Sequence, residues 1–500
     1  MGYESNTDCL HTRRRGILLP IFSLPSKYGI GTLGREARRF VDTLAENGAQ
    51  IWAILPTGVT GYGDSPYQSF SSFAINPYFL DLEELVEEGL LTLQECEACD
   101  FGSDPGRVDY GRLYESRMPL LMTAYARALE REGFEESLAE FGRSAPWLES
   151  YAQFMAIKDM TGGKPWNEWE PGLKNRVPAA LERIMEKISC EVGFHKFIQM
   201  KLAEQWAKLA EYAHSKGVSI MGDIPIYCAY DSADCWAQRK DFRLDRYGRP
   251  KEVAGVPPDY FCEDGQLWGN PLYDWKHMKD DGFGFWLARL HRAAELYDIL
   301  RIDHFRGFAS YYAVPFGAPN AKVGKWRRTE GRKLFETVAA EDLPLEIVAE
   351  DLGFITKSVR DLLKSTGFAG MQIMEFAFDG DRGNPHINRR WNGDPQKLRN
   401  KIAYTGTHDN PSLAAWWEEQ DDTVRQNARK YAGTDDLPFG IVKATAECDA
   451  RIIIIPAADV LLLGAEARIN SPGTAAGNWT WRLTEAQSRE LAERLGGLFN

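Results

Sequence analysis

Four separated stretches of this chain end in side chains that can carry charge or move protons. They are "GDIPIY" with Asp223, "RIDHFRG" with Arg301, Asp303, His304 and Arg306, "VAEDLG" with Glu350 and Asp351, and "THDN" with His408 and Asp409. Each follows an apolar run of strand length. Buried charge is costly unless it is paired or used. Carboxylates that converge on one cavity have two main uses. They can hold Mg²⁺ or Ca²⁺, which prefer oxygen ligands. They can also cut a glycosidic bond, one attacking and another protonating the leaving oxygen, at a separation of about 5–5.5 Å in retaining enzymes. The spacing of Arg301 and Asp303 favours the second use. Residues two apart on an extended strand face the same way, so the guanidinium would favour the charged form of the nucleophile. A metal site has less use for a fixed cation. His304 would point the other way on an ideal strand, which leaves Asp303 as the nucleophile candidate. Arg306 fits a structural ion pair or a binding role equally.

What would bring these groups together is a set of eight short apolar runs. They lie at 16–22, 49–56, 218–227, 298–305, 345–351, 369–378, 401–409 and 451–456, and most are followed by helical patterning. Ala37, Phe40, Val41 and Leu44 recur at helix spacing after the first run, with Gly48 as a stop. Ile198, Leu202, Trp206, Leu209 and Ala213 form another such stripe before the third. Strands alternating with helices argue a parallel barrel or a doubly wound sheet. The count favours a (β/α)8 TIM barrel, in which all C-terminal strand ends share one face. At 500 residues the chain is about twice a bare barrel of roughly 250. The expected organisation is therefore a single catalytic barrel over 1–500 with large insertions between barrel strands. A mainly helical insertion at 57–215 follows strand two, and one rich in Pro, Gly and aromatics at 227–297 follows strand three.

Composition narrows the partners. The net charge is −13, and no Lys/Arg run is long enough to track phosphates, so nucleic acid is not expected. No apolar run approaches the roughly 20 residues that span a bilayer, and the N-terminus lacks the apolar core of a signal peptide. Eight cysteines are scattered without a framework; the lone Cys96-x-x-Cys99 pair is weak evidence for metal or redox chemistry. A cytoplasmic protein with free thiols is the expectation. The aromatic supply suits a sugar. Tyr62, Tyr67, Phe70 and Phe73 stand in one loop, and Tyr260, Phe261 and Trp268 in another, with Gln266 and Asn270 flanking Trp268.

The motifs resemble those of 4-alpha-glucanotransferases of the amylomaltase or disproportionating-enzyme type, glycoside hydrolase family 77 of the α-amylase clan. The resemblance runs through nearly the whole chain: "GILLPIFSLPSKYGIGTLG", "SPYQSFSSFAINPY", "GDIPIYCAYDSADCW", "VAGVPPDYFCEDGQLWGNPLYDW", "RIDHFRGF", "VAEDLG", "THDN" and "INSPGTAAGNWTWR". It implies Asp303 as nucleophile, Glu350 as general acid/base and Asp409 as the third, transition-state-supporting carboxylate. It implies substrate contacts from Ser65, Tyr67, Asp223, Gln266, Trp268, Arg301, His408 and Asn470, with the 255–262 loop over the groove. Transfer between α-1,4-glucans or maltooligosaccharides, of the starch or glycogen type, would follow, with no organic cofactor and no metal. The sequence departs from the family after "THDN", where "PSLAAWW" stands. Pro411 would suit the first helical position, and Ser412 would replace a threonine hydroxyl. Cys228, Cys235 and Cys262 replace the family's usual Val, Val and Ser, and Cys262 would make activity thiol-sensitive. The competing readings are an α-1,4-glucan hydrolase of the same clan, a glucan-binding protein without catalysis, and a metal-dependent barrel enzyme.

Overall fold

Parallel strands covered on both faces read as continuous apolar runs, and the run Ile452–Ile455, fully buried, is the clearest case here. The computed structural model describes residues 13–258, 263–381, 383–387, 399–474 and 476–499. Eight strands close into a barrel: Arg14–Leu18, Ile51–Ala53, Ser219–Ile224, Ile299–Ile302, Glu346–Ala349, Ala369–Ile373, Arg399–Tyr404 and Ala450–Pro456. Each pairs in parallel with its neighbours in chain order, and the first closes on the last. This is the TIM barrel.

Helices supply the outer layer. In Arg35–Glu46, Ala37, Phe40, Val41 and Leu44 are the buried residues, the stripe read from the sequence. Gly34 precedes it, and Glu36 in its first turn complements the helix dipole. The long helix Ser189–Ser215 buries Ile198, Leu202, Trp206, Leu209 and Ala213 and runs directly into the third strand. Between strands two and three the chain is mainly helical, with Tyr110–Leu129, Phe134–Ser144 and Leu148–Met160 as further long helices.

Several strands are shorter than their apolar runs. The first was expected to reach residue 22, but Pro20, which has no N–H for the ladder, precedes a 3-10 turn at Ile21–Ser23. The sixth stops at Ile373 and passes into the 3-10 turn Met374–Phe376. The seventh stops at Tyr404, so "THDN" lies in a turn beyond it. A second sheet was not anticipated. Gln266–Pro271, Glu252–Val256, Ser310–Pro315 and Lys325–Arg328 pair antiparallel in that order. It joins the insertion after strand three to a hairpin after strand four. The hairpin's outer strand, "KWRR", is polar and mostly exposed, so it carries no apolar run to read. Among the described residues no helix is long and apolar enough to cross a membrane.

Candidate active site

Register alone brings the key charges together. In the barrel Asp223 is the direct neighbour of Arg301, and Ile302 of Ala349. One step further on, Asp303 and Glu350 leave adjacent strands side by side. The Asp303 N–H donates to the Ile224 carbonyl at 2.9 Å, and the Glu350 N–H to the Ile302 carbonyl at 3.0 Å. Adjacent strands are about 4.8 Å apart, so the two carboxyl-bearing backbones are held at that interval.

Arg301 is buried and bridges two acids. Its Nη1 reaches Asp223 Oδ2 at 2.5 Å and its Nη2 reaches Asp303 Oδ1 at 2.9 Å. The same Asp223 oxygen accepts the Tyr67 hydroxyl at 2.8 Å. Asp223 is 3% exposed, and its other oxygen has no hydrogen-bond partner. Burial raises the Asp223 carboxyl above its usual range, with Arg301 opposing. Glu350 is pushed up to about 7, by burial first and then by the charge of Asp303. Its two oxygens accept the N–H groups of His304 and Leu352, each at 2.7 Å, which favours the ionised form but does not overcome burial. Its neighbour Asp351 turns away, accepting from the Met371 N–H at 2.6 Å and facing Lys401 at 3.4 Å.

The strand ends at Ile302, so the ideal-strand expectation for His304 does not hold. His304 adopts a left-handed backbone, φ 50° and ψ 49°, a conformation that costs a non-glycine residue of order 1–3 kcal/mol. That bend aims its N–H at Glu350. Its partly buried ring, with a pKa lowered to about 4 chiefly by lost solvation, meets the Trp268 ring edge to face at 4.7 Å. Arg306 makes no ion pair among the described contacts. Its guanidinium lies over the Trp326 ring at 3.9 Å and donates to Ser310 Oγ, which ties the turn after Asp303 to the second sheet.

Another carboxylate, Asp409, lies in the turn after the seventh strand. Asp409 Oδ1 accepts from Asn470 Nδ2 at 2.6 Å and lies 3.4 Å from His408 Nε2. The His408 ring stacks on Tyr67 at 5.0 Å, and Trp479 closes the group at 5.9 Å from Tyr67. Nothing local in "INSPGTAAGNWTWR" sets Trp479 apart from Trp481. Beneath them, buried Glu375 accepts from Asn410 Nδ2, and Asn410 Oδ1 in turn holds the N–H and hydroxyl of Thr407. The helix Leu413–Glu418 begins two residues later than Pro411 at the first helical position would have it. Ser412 is its cap, accepting from the Ala415 N–H and donating to the Gly464 carbonyl. A cap oxygen serves the first-turn N–H groups that Pro cannot.

Of the remaining candidates, Trp268 donates to Gln266 Oε1 at 3.0 Å on the outer strand of the second sheet. Ser65 accepts from the Tyr67 N–H at 3.3 Å, a local turn that presents Tyr67. Tyr260, Phe261 and Cys262 lie outside the described residues.

A family profile described as 4-alpha-glucanotransferase, glycoside hydrolase family 77, matches residues 19–488. A 4-alpha-glucanotransferase of Thermus thermophilus is 43% identical, over 97% of each chain. A chloroplastic or amyloplastic 4-alpha-glucanotransferase of Solanum tuberosum is 42% identical over 95% of this chain and 83% of its own. Among solved structures, the amylomaltase of Streptococcus agalactiae in complex with acarbose superposes with a TM-score of 0.93 at 38% identity, covering 97% of this chain and 98% of that one.

Proposed function

The chain belongs to the 4-alpha-glucanotransferases of glycoside hydrolase family 77, and from that premise we propose how its own residues carry the reaction. The activity is transfer of an α-1,4-glucan segment with retention of configuration. Asp303 attacks the anomeric carbon of the donor. The glycosidic C1–O bond breaks, and Glu350 gives its proton to the departing 4-oxygen. A β-linked glucosyl ester on Asp303 results. The 4-hydroxyl of an acceptor then attacks C1 while Glu350 takes its proton. The ester bond breaks, Asp303 leaves as a carboxylate, and the α linkage is restored.

One observation carries this reading. The two carboxyls on adjacent strands sit in opposite environments: Asp303 faces the Arg301 guanidinium at 2.9 Å, whereas burial pushes Glu350 up to about 7. A nucleophile needs the first environment, and an acid that must later serve as base needs the second. Asp409, held by Asn470 and His408, supports positive charge on the ring. Asp223 acts chiefly through Arg301, since its one bonded oxygen is shared by Arg301 and Tyr67. Trp268 and Gln266 form the acceptor-side wall, and Ser65 sets the Tyr67 turn.

Maltooligosaccharides and starch- or glycogen-type glucans serve as both donor and acceptor. A surface of net charge −13 gives nucleic acid no purchase. A cytoplasmic setting fits cysteines that are all free among those described. The test is product analysis on maltotriose. A ladder of longer maltooligosaccharides plus glucose is expected. New reducing ends without longer products would favour hydrolysis instead, and Asp303→Asn turning over at the wild-type rate would overturn the assigned nucleophile.

A further inference from the structure

Apart from the reaction site, the segment between the third and fourth barrel strands holds a second group of metal-ligand side chains. Asp241 ends the 3-10 turn Arg239–Asp241, His277 lies in the helix Trp275–Asp280, and Asp281 follows that helix directly. One ligand atom from each lies within 4.8 Å of the other two. Asp241 is only 5% exposed, and its buried Oδ1 has no hydrogen-bond partner. That oxygen faces His277 Nε2 at 3.8 Å, beyond hydrogen-bond reach. A buried carboxylate oxygen without a partner is costly, so its orientation toward an imidazole and a second carboxylate calls for a cause.

The surrounding groups do not supply the missing charge. Asp274 caps the helix by accepting the His277 N–H at 3.1 Å, and its own N–H donates to the Asp241 carbonyl at 2.7 Å. That backbone bond pins the turn against the helix and sets the spacing of Asp241 and His277. Lys279 pairs with Glu330 at 3.1 Å, and Lys240 and Lys276, adjacent in sequence to Asp241 and His277, are exposed. Asp281 accepts the Phe283 N–H at 3.1 Å and is otherwise exposed.

We propose that Asp241, His277 and Asp281 form a binding site for one divalent cation of the Zn²⁺ class. Ligand atoms of a tetrahedral zinc stand about 3.4 Å apart, so an ion would draw Asp241 and His277 in only slightly from their 3.8 Å separation. One imidazole with two carboxylates suits zinc, with a water in the fourth position, whereas Ca²⁺ and Mg²⁺ favour all-oxygen sets. The ion is structural. It clasps the 239–241 turn to the helix that precedes Gly284–Leu296, and that helix leads into the strand before Asp303.

The experiment titrates metal-stripped protein with Zn²⁺ alone, followed by calorimetry and thermal unfolding. Wild type should bind one ion at this site with a rise in Tm and no change in transferase rate. His277→Gln and Asp281→Asn, both at partly or fully exposed positions that leave the fold intact, should each weaken binding at least tenfold and remove the rise in Tm. Mg²⁺ should not substitute. Absence of zinc binding would overturn the proposal. So would binding that survives both substitutions unchanged, as expected of a site built on cysteine thiols.

Discussion

At the scale of single residues, Glu350 carries two consequences. In the folded chain it keeps its proton up to about 7, against an ordinary value of 4.5. The folded state therefore binds the proton more tightly, and its stability from this group is complete below about 4.5 and declines as pH rises through 7. Glu350→Gln keeps the shape without the charge. Its amide nitrogen cannot accept one of the two N–H groups that Glu350 takes, so the pH-dependent signature is the difference: its Tm relative to wild type should rise by several degrees between about pH 4.5 and pH 8. Over the same range transfer should fall by about 10²–10⁴-fold. Wild-type kcat/KM for donor should decline as pH passes about 7, because the first step needs the protonated acid. A flat profile with a melting difference that does not move with pH would refute this role. The Arg301–Asp303 pair was legible in the sequence because strand side chains repeat every two residues. His304 was not, because its orientation depends on where the strand stops. Nothing local marks Ile302 as the last strand residue; the left-handed turn after it is held by Glu350, 46 residues away.

At the scale of elements, strand interiors were readable and strand ends were not. Apolar runs marked all eight barrel strands, since burial on both faces needs them. The runs continue past the strands because the loops at this face are themselves buried, as Phe305 and Phe308 are in the turn after Asp303. Small residues mark where elements approach closely. Gly222 precedes Asp223 on the third strand, and a Cβ there would overlap the ring of Tyr297, whose hydroxyl bonds Thr57 at 2.9 Å. Gly222→Ala should therefore cost about 1–3 kcal/mol of stability. It should also lower kcat, because the strand that carries Asp223 must shift against Arg301. Unfolding and initial rates measure both, and an unchanged Tm would show that the ring yields freely. The second sheet escaped the sequence for a different reason. Its outer strand, Lys325–Arg328, is defined by pairing with a neighbour rather than by any pattern of its own.

For the whole molecule, a net charge of −13 acts on solubility and on charged partners, not on a neutral glucan. Transfer from maltotriose should accordingly change less than about twofold in kcat/KM between ~50 and ~500 mM NaCl. A steep salt dependence would point to a charged substrate. The amino-acid sequence by itself determined the class of fold, through the count and length of apolar runs, and offered the three candidate carboxylates, through types and motifs written locally in the chain. It also determined which residues Arg301 could share a face with. Only the tertiary structure decided that Glu350 is held above the ordinary carboxyl range while Asp303 faces a guanidinium. Desolvation and neighbouring charge set that balance, and both come from residues far apart in sequence: Asp223 lies 78 positions from Arg301, and Asn470 lies 61 from Asp409. Barrel closure brings them within ångströms, and no local pattern of residues encodes that distance.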